Sequence, residues 1–157
     1  MSEQTPEVGL VDLQPQTVLL MRGSLPMAEL PQFFDRAFPA VAQAMGEQGV
    51  PFIGPPVGVY FGVPAESVQV GAGFPIPGPM SASGELAVET LPGGRAAQVT
   101  HVGSYDSMMG TYDVLMTWMR EQGLESAEVM WETYLTEPTP DGDPSAMRTL
   151  ITWPVQG

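Results

Sequence analysis

Apolar positions along this chain follow two rhythms. From Leu30 to Gln48 they recur at helical spacing, with Leu30, Phe34, Phe38, Val41 and Met45 on a stripe and Ala37 and Ala44 beside it. Pro39 lies inside this run. It removes a helical N–H and disfavours helix at Phe38, so the pattern predicts a kink, or a short helix before a main one. Gly49 ends the segment. A second helix is predicted from about Ser107 to Gln122, with Met108, Met109, Tyr112, Leu115, Met116 and Met119 as its apolar stripe and Trp118 on the rim. Asp106 or Ser107 suits its N-cap, and Gly123 stops it.

The remaining apolar runs are short and strand-like. They are Val8–Asp12 and Thr17–Arg22, separated around Pro15, then Val57–Gly62 and Val68–Phe74. Pro75-Ile-Pro-Gly-Pro79 reads as the start of a linker over residues 75–83. Beyond it, Gly84–Leu91 and Arg95–His101 read as a hairpin about Pro92-Gly93-Gly94. Glu128–Thr136 and Ala146–Val155 close the chain as strands around the polar loop 137–144.

These elements repeat. Met45-Gly-Glu-Gln-Gly49 matches Met119-Arg-Glu-Gln-Gly123, and the same shift lays Val57-Gly58-Val59-Tyr60 over Trp131-Glu132-Thr133-Tyr134. Each half reads β-α-β-β with an additional strand at its start. The expectation is one α+β domain over 1–157, with pseudo-repeats at about 7–76 and 84–155. Two such units side by side leave a groove between their helices, across a pseudo-twofold axis.

Composition narrows the function classes. The 157 residues are 43% hydrophobic and include no cysteine and one histidine, His101, which removes disulfides, thiolate chemistry and multi-histidine metal centres. No apolar run is long enough to span a membrane, and the N-terminus carries no secretory pattern, so a cytoplasmic location is expected. Five arginines, no lysine and 18 acidic residues give a net charge of −13, which opposes direct nucleic-acid binding and favours cationic ligands or a basic protein partner. No phosphate loop, nucleophile elbow or dinucleotide fingerprint occurs, and no cofactor or metal is called for. Asp141-Gly-Asp143 lacks the remaining ligands of a calcium loop.

Several motifs occur in an order that resembles the GyrI-like, or effector-binding, family of small-molecule-binding domains. In the first half they are Thr17–Gly23, Met27-Ala-Glu-Leu30, Phe33-Phe34…Pro39, Gly54-Pro55-Pro56-Val57-Gly58-Val59-Tyr60 and Gly73-Phe74-Pro75-Ile76. In the second they are His101-Val-Gly-Ser-Tyr105, Tyr112…Trp118, Gly123-Leu124, Trp131-Glu132-Thr133-Tyr134-Leu135, Pro138 and Arg148-Thr149…Pro154-Val155. Ser104 stands where the family often has proline. The resemblance implies two β-α-β-β units about a pseudo-dyad, antiparallel sheets with two main helices, and a ligand cleft between them. It also implies a bacterial, transcription-regulator-related effector-binding domain, here expected in standalone form. Family members include drug and metabolite binders, gyrase inhibitors and hydrolases of cyclopropane-bearing toxins.

Glu132 is the leading site candidate, and it matches the family's cleft acid. On a strand it shares a face with Tyr134, while Trp131, Thr133 and Leu135 take the other. A carboxylate beside a phenol suits a lipophilic cation; the alternative is a solvated edge glutamate. Gly58, opposite Glu132 in the repeat, leaves space or marks a bulge. Tyr60 and Tyr134 are repeat-equivalent candidates for cleft walls, and Trp153 for cation–π contact. Trp131 and Tyr112 are further candidates that read first as core. His101 reads as structural and the methionines as core filler.

Three functional readings follow. The first is a binder of cationic or amphipathic small molecules, including multidrug-type ligands, with Glu132 as charge partner. The second is a hydrolase of strained electrophiles in which Glu132 handles water and Tyr134 assists the leaving oxygen. The third is an acidic, gyrase-inhibitor-like protein that docks on a basic partner.

Overall fold

The computed structural model describes residues 8–62, 67–78, 80–82, 84–103, 108–135 and 148–156. Both helical runs form. After a 3-10 turn at Met27–Glu29, α1 spans Leu30–Glu47, and α2 spans Met108–Glu121. α1 runs through Pro39 without interruption. Pro39 is exposed, so the carbonyl it leaves without a helical partner can be hydrated. Gly49 and Gly123 follow the two helices with φ of 69° and 70°, the left-handed stop that the repeat demands of both halves. The capping candidates Asp106 and Ser107, with Ser104, Tyr105, Pro138 and Asp141-Gly-Asp143, lie outside the described residues.

The phase of each stripe differs from expectation. The buried row of α1 is Leu30, Phe33, Ala37, Val41 and Met45, and Phe34 and Phe38 sit half-buried on its flank. On α2, Leu115 and Met119 are buried, whereas Met109 and Met116 are exposed. Three phenylalanines in six residues let two neighbouring rows look equally apolar, and unbranched methionine tolerates either side.

The strands are β1 (Gly9–Leu13), β2 (Gln16–Leu25), β3 (Val57–Phe61), β4 (Val68–Pro75), β5 (Leu86–Leu91), β6 (Gly94–Val102), β7 (Glu125–Ser126), β8 (Val129–Tyr134) and β9 (Arg148–Gln156). They form one antiparallel sheet in the order β1-β6-β9-β8-β3-β4-β2-β5, with β7 added beside β9. The order is a palindrome of the two repeats, and β3 and β8 join them at the centre.

The expected hairpin between residues 84–91 and 95–101 does not form. β5 instead pairs with β2, and β6 pairs with β1 and β9. Each repeat therefore hands its leading strand to the other half. The cause is at the crossings: Pro15 lacks a donor to continue a ladder, and a Cβ on Gly93 would stand 2.7 Å from the Pro15 ring and 2.9 Å from the Leu13 carbonyl. The connections 14–15 and 92–93 pack against each other and pull both sheet edges together. The sheet curls into a half-barrel with the helices on one face. The first linker residues also belong to the fold, since Pro75 pairs with Val18 and the buried Ile76 donates its N–H to Thr17.

Three apolar clusters result. α1 covers β2 and β4, α2 covers β6, and a third cluster inside the half-barrel joins Val18, Leu20, Val57, Val59, Leu91 and Trp131. Neither helix packs broadly over β3 or β8; single side chains of each helix reach the central strands instead. Among the described residues no helix is long and apolar enough to cross a membrane.

The strand exchange has a direct consequence. Expressed separately, fragments 1–78 and 79–157 should each give collapsed amide NMR spectra, because each lacks an edge strand; mixing them should restore dispersion. A fragment that folds alone would contradict the exchange.

Candidate functional site

The candidate site is set out by strand alternation. Trp131 and Thr133 point into the half-barrel, so Glu132 and Tyr134 point toward the helices, as do Gly58 and Tyr60 on β3. Gly58 pairs with Glu132 in register, and the same two positions are equivalent in the repeat. A pair that is both partner and equivalent lies on the pseudo-dyad. Two glutamates there would face each other at about 5 Å and could not both ionise. Glycine on one side leaves a single acid on the axis.

Glu132 is 7% exposed. The Tyr134 hydroxyl donates to its Oε1 at 2.8 Å, and the Tyr112 hydroxyl, from α2, donates to Oε2. Tyr60 hydrogen-bonds to Tyr134. The three half-buried tyrosines thus form one polar cluster about the carboxyl group.

Burial pushes the Glu132 carboxyl above the ordinary carboxylate range, against the opposing effects of the two tyrosine bonds and the charge of His101. Burial, reinforced by the Glu132 charge, raises all three phenols, so they remain protonated donors.

Gly58 makes the arrangement possible. A Cβ there would stand 2.5 Å from the Tyr134 hydroxyl, so the space opposite the acid is occupied by the phenol that holds it. Phe34 and Phe38 of α1 meet the Tyr134 ring edge-on at 6.2 and 6.1 Å. These two were read as core from the sequence. The signal for them was a second aromatic row beside Phe33, more than one buried stripe can use. On α2, Met109 and Met116 lie about 60° and 40° around the helix from Tyr112, on the side away from Thr111, and both are exposed.

The other candidates fall elsewhere. Trp131 is buried inside the half-barrel, behind the acid. Trp153 shares the acid's face but packs in the α2 cluster and donates its indole N–H to the Ala127 carbonyl at 2.9 Å. His101 is buried, with Nδ1 2.6 Å from the Thr111 hydroxyl. Among the described residues no three acidic or histidine side chains gather as a metal site.

Two expectations follow. Gly58→Ala should displace the Tyr134 hydroxyl and cost about 1–3 kcal/mol of stability in urea unfolding, and Tyr134→Phe should reduce that cost in a double-mutant cycle. The raised carboxyl also gives stability a sign in pH. Below the ordinary value of 4.5 both states hold the proton; as pH rises through the folded value, the folded state resists losing it and stability falls. Glu132→Gln removes this slope, so the variant should gain on wild type as pH rises from about 4 to 8. A pH-independent difference contradicts the raised value.

The fold has known counterparts. The chain superposes on the C-terminal domain of EcmrR with a TM-score of 0.82 at 19% identity, covering 98% of this chain and 99% of that one. It matches EcmrR in its DNA complex with a TM-score of 0.83 at 18% identity, covering 97% of this chain but 58% of EcmrR. A Listeria innocua protein described as a hydrolase gives 0.66 at 15% identity, over 96% and 92% of the two chains. SAV2435 bound to tetraphenylphosphonium gives 0.64 at 14%, over 96% and 94%. No curated protein matches the sequence. The pattern of one family, described as the GyrI-like small molecule binding domain, matches residues 6–156. The chain belongs to the GyrI-like small-molecule-binding family.

Proposed function

We propose that this domain binds cationic or amphipathic small molecules in the cleft over β3 and β8, with Glu132 as the charge partner. The observation that carries this reading is one buried carboxyl, held by two phenols, beside the Phe34 and Phe38 rings that pack on Tyr134. A lipophilic cation replaces the lost hydration of the carboxylate, and its apolar arms lie against Phe34 and Phe38. Tyr60, Tyr112 and Tyr134 line the floor, and Gly58 keeps the axis clear for Tyr134. Trp153 and Trp131 support the strands from the α2 cluster and from behind the sheet. The tetraphenylphosphonium carried by SAV2435 fits this chemistry, as does the net charge of −13.

A hydrolytic reading of the same acid draws on its raised carboxyl and on the fold shared with a protein described as a hydrolase. In that reading Glu132 relays a proton from attacking water, with Tyr134 at the leaving oxygen. Binding is favoured because each carboxyl oxygen already accepts a phenol, which orders a charge partner and leaves less of the group for water.

Calorimetric titration with tetraphenylphosphonium, and with neutral tetraphenylmethane analogues carrying solubilising groups, separates the effects. Glu132→Gln should weaken the cation by about tenfold or more and change the neutral compound little. Equal losses would make Glu132 structural. Turnover of a reactive cyclopropane compound, followed by mass spectrometry and abolished by Glu132→Gln, would establish the hydrolytic reading instead.

A further inference from the structure

The two repeats differ beneath their helices by more than the acid. Outward from the axis, Tyr60 pairs with Val70 and Val70 with Gly23, whereas Tyr134 pairs with Thr149 and Thr149 with His101. On the helices, the shift that relates Met45 to Met119 also relates Ala37 to Thr111 and Phe38 to Tyr112. The first half thus carries Gly23, Ala37 and Val70 where the second carries His101, Thr111 and Thr149. Every buried polar side chain among the described residues belongs to the second half.

In the first half this layer is filled by rings. A Cβ on Gly23 would stand 2.8 Å from the Phe33 ring, so glycine admits that ring, and Phe38 meets Tyr134 edge-on. In the second half the contacts are hydrogen bonds from two consecutive residues of α2. The Thr111 hydroxyl meets Nδ1 of His101 on β6 at 2.6 Å, and Tyr112 donates to Glu132 on β8. β9 runs between those two strands, so the bonds straddle it, about 100° apart around the helix. Leu115 and Met119 hold α2 on the sheet by apolar contact, which is non-directional and leaves the roll of the helix free. A hydrogen bond has a preferred length and angle, and fixes that roll. Thr149, between His101 and Tyr134, has nearly the shape of Val70 and differs by its hydroxyl. That hydroxyl is buried with no hydrogen-bond partner among the described residues, which costs stability. Packing alone therefore does not account for the polar layer.

We infer that His101 and Thr111 are positioning residues, whose bond sets the roll of α2 at which the Tyr112 phenol reaches Glu132. They act on the site through Tyr112. The bond from Tyr112 favours the ionised form of Glu132 against the effect of burial. A helix rolled out of place leaves the acid holding its proton more tightly and less ready to face a cation. The consequence for the ligand rests on the cation-binding reading above; the positioning itself does not.

The test follows the Glu132 carboxyl by carbon NMR of the whole chain labelled at its glutamate carboxyls, the signal being assigned by its loss in Glu132→Gln. Thr111→Val keeps the branched shape and removes the hydroxyl. It should raise the Glu132 midpoint by about one pH unit, as Tyr112→Phe does, and add nothing further in the Tyr112→Phe background. Thr111→Ser keeps a hydroxyl and should stay near wild type. Should Thr111→Val fail to fold, His101→Leu/Thr111→Val leaves neither partner unpaired, and its coupling to Tyr112→Phe gives the same answer. At a pH below the midpoint, Thr111→Val should weaken tetraphenylphosphonium about tenfold, the factor that matches one pH unit. A Glu132 midpoint unchanged by Thr111→Val, or raised equally with and without the Tyr112 hydroxyl, would overturn the inference. The midpoints decide the positioning whether or not the cation binds; a wild type that ignores tetraphenylphosphonium would sink the ligand reading alone.

Discussion

A single buried carboxyl on a pseudo-twofold axis is the constraint on which the rest of this structure depends. Duplicated units that pair through their central strands bring equivalent positions face to face, and position 132 faces position 58. Symmetry there would oppose two acids in a desolvated cleft. Breaking it with glycine leaves one acid, and the freed volume admits the hydroxyl of Tyr134. The two repeat-related tyrosines then meet across the axis, and Tyr112 of α2 completes the shell. A near-symmetric scaffold thereby presents a one-sided electrostatic site.

The exchange of leading strands gives this site its walls. Because β1 joins β6 and β5 joins β2, each half is completed by the other and the sheet closes toward a barrel. Curling keeps the bulk of each helix over its own outer strands, so that only Tyr112 of α2 and Phe34 and Phe38 of α1 reach the group around the acid. The same curl leaves a shallow groove behind β8. Strand alternation then separates the chemistry of the two sides, with ionisable groups in front and uncharged ones behind.

Much of this was legible in the sequence because periodicity reports faces. Alternation put Glu132 and Tyr134 on one side and Trp131 on the other, and the repeat made Tyr60 the counterpart of Tyr134. Periodicity does not report partners. The hairpin expected around Pro92-Gly93-Gly94 is locally sound, and it fails because β2 offers β5 an edge that only the duplicated fold brings near. Tyr112 lay on a stripe that reads as core, since its reach to Glu132 crosses from helix to sheet. Phe34 and Phe38 were hidden by the dense aromatic run of α1, where one step in phase changes core into cleft wall. Trp153 shows the complementary limit: its face was on the right side of the sheet, but its rung is set by the pairing of β9 with β8.

Glu132 holds its proton more tightly than a solvated carboxyl, and the proposed binding of a cation against it would drive that proton off. Calorimetry of tetraphenylphosphonium binding in buffers of different ionisation enthalpy measures the protons released. At a pH near the raised folded value, wild type should release a fraction of a proton on binding, and Glu132→Gln should release none. Binding of equal affinity with no proton release at any pH, in both proteins, would contradict the role given to Glu132.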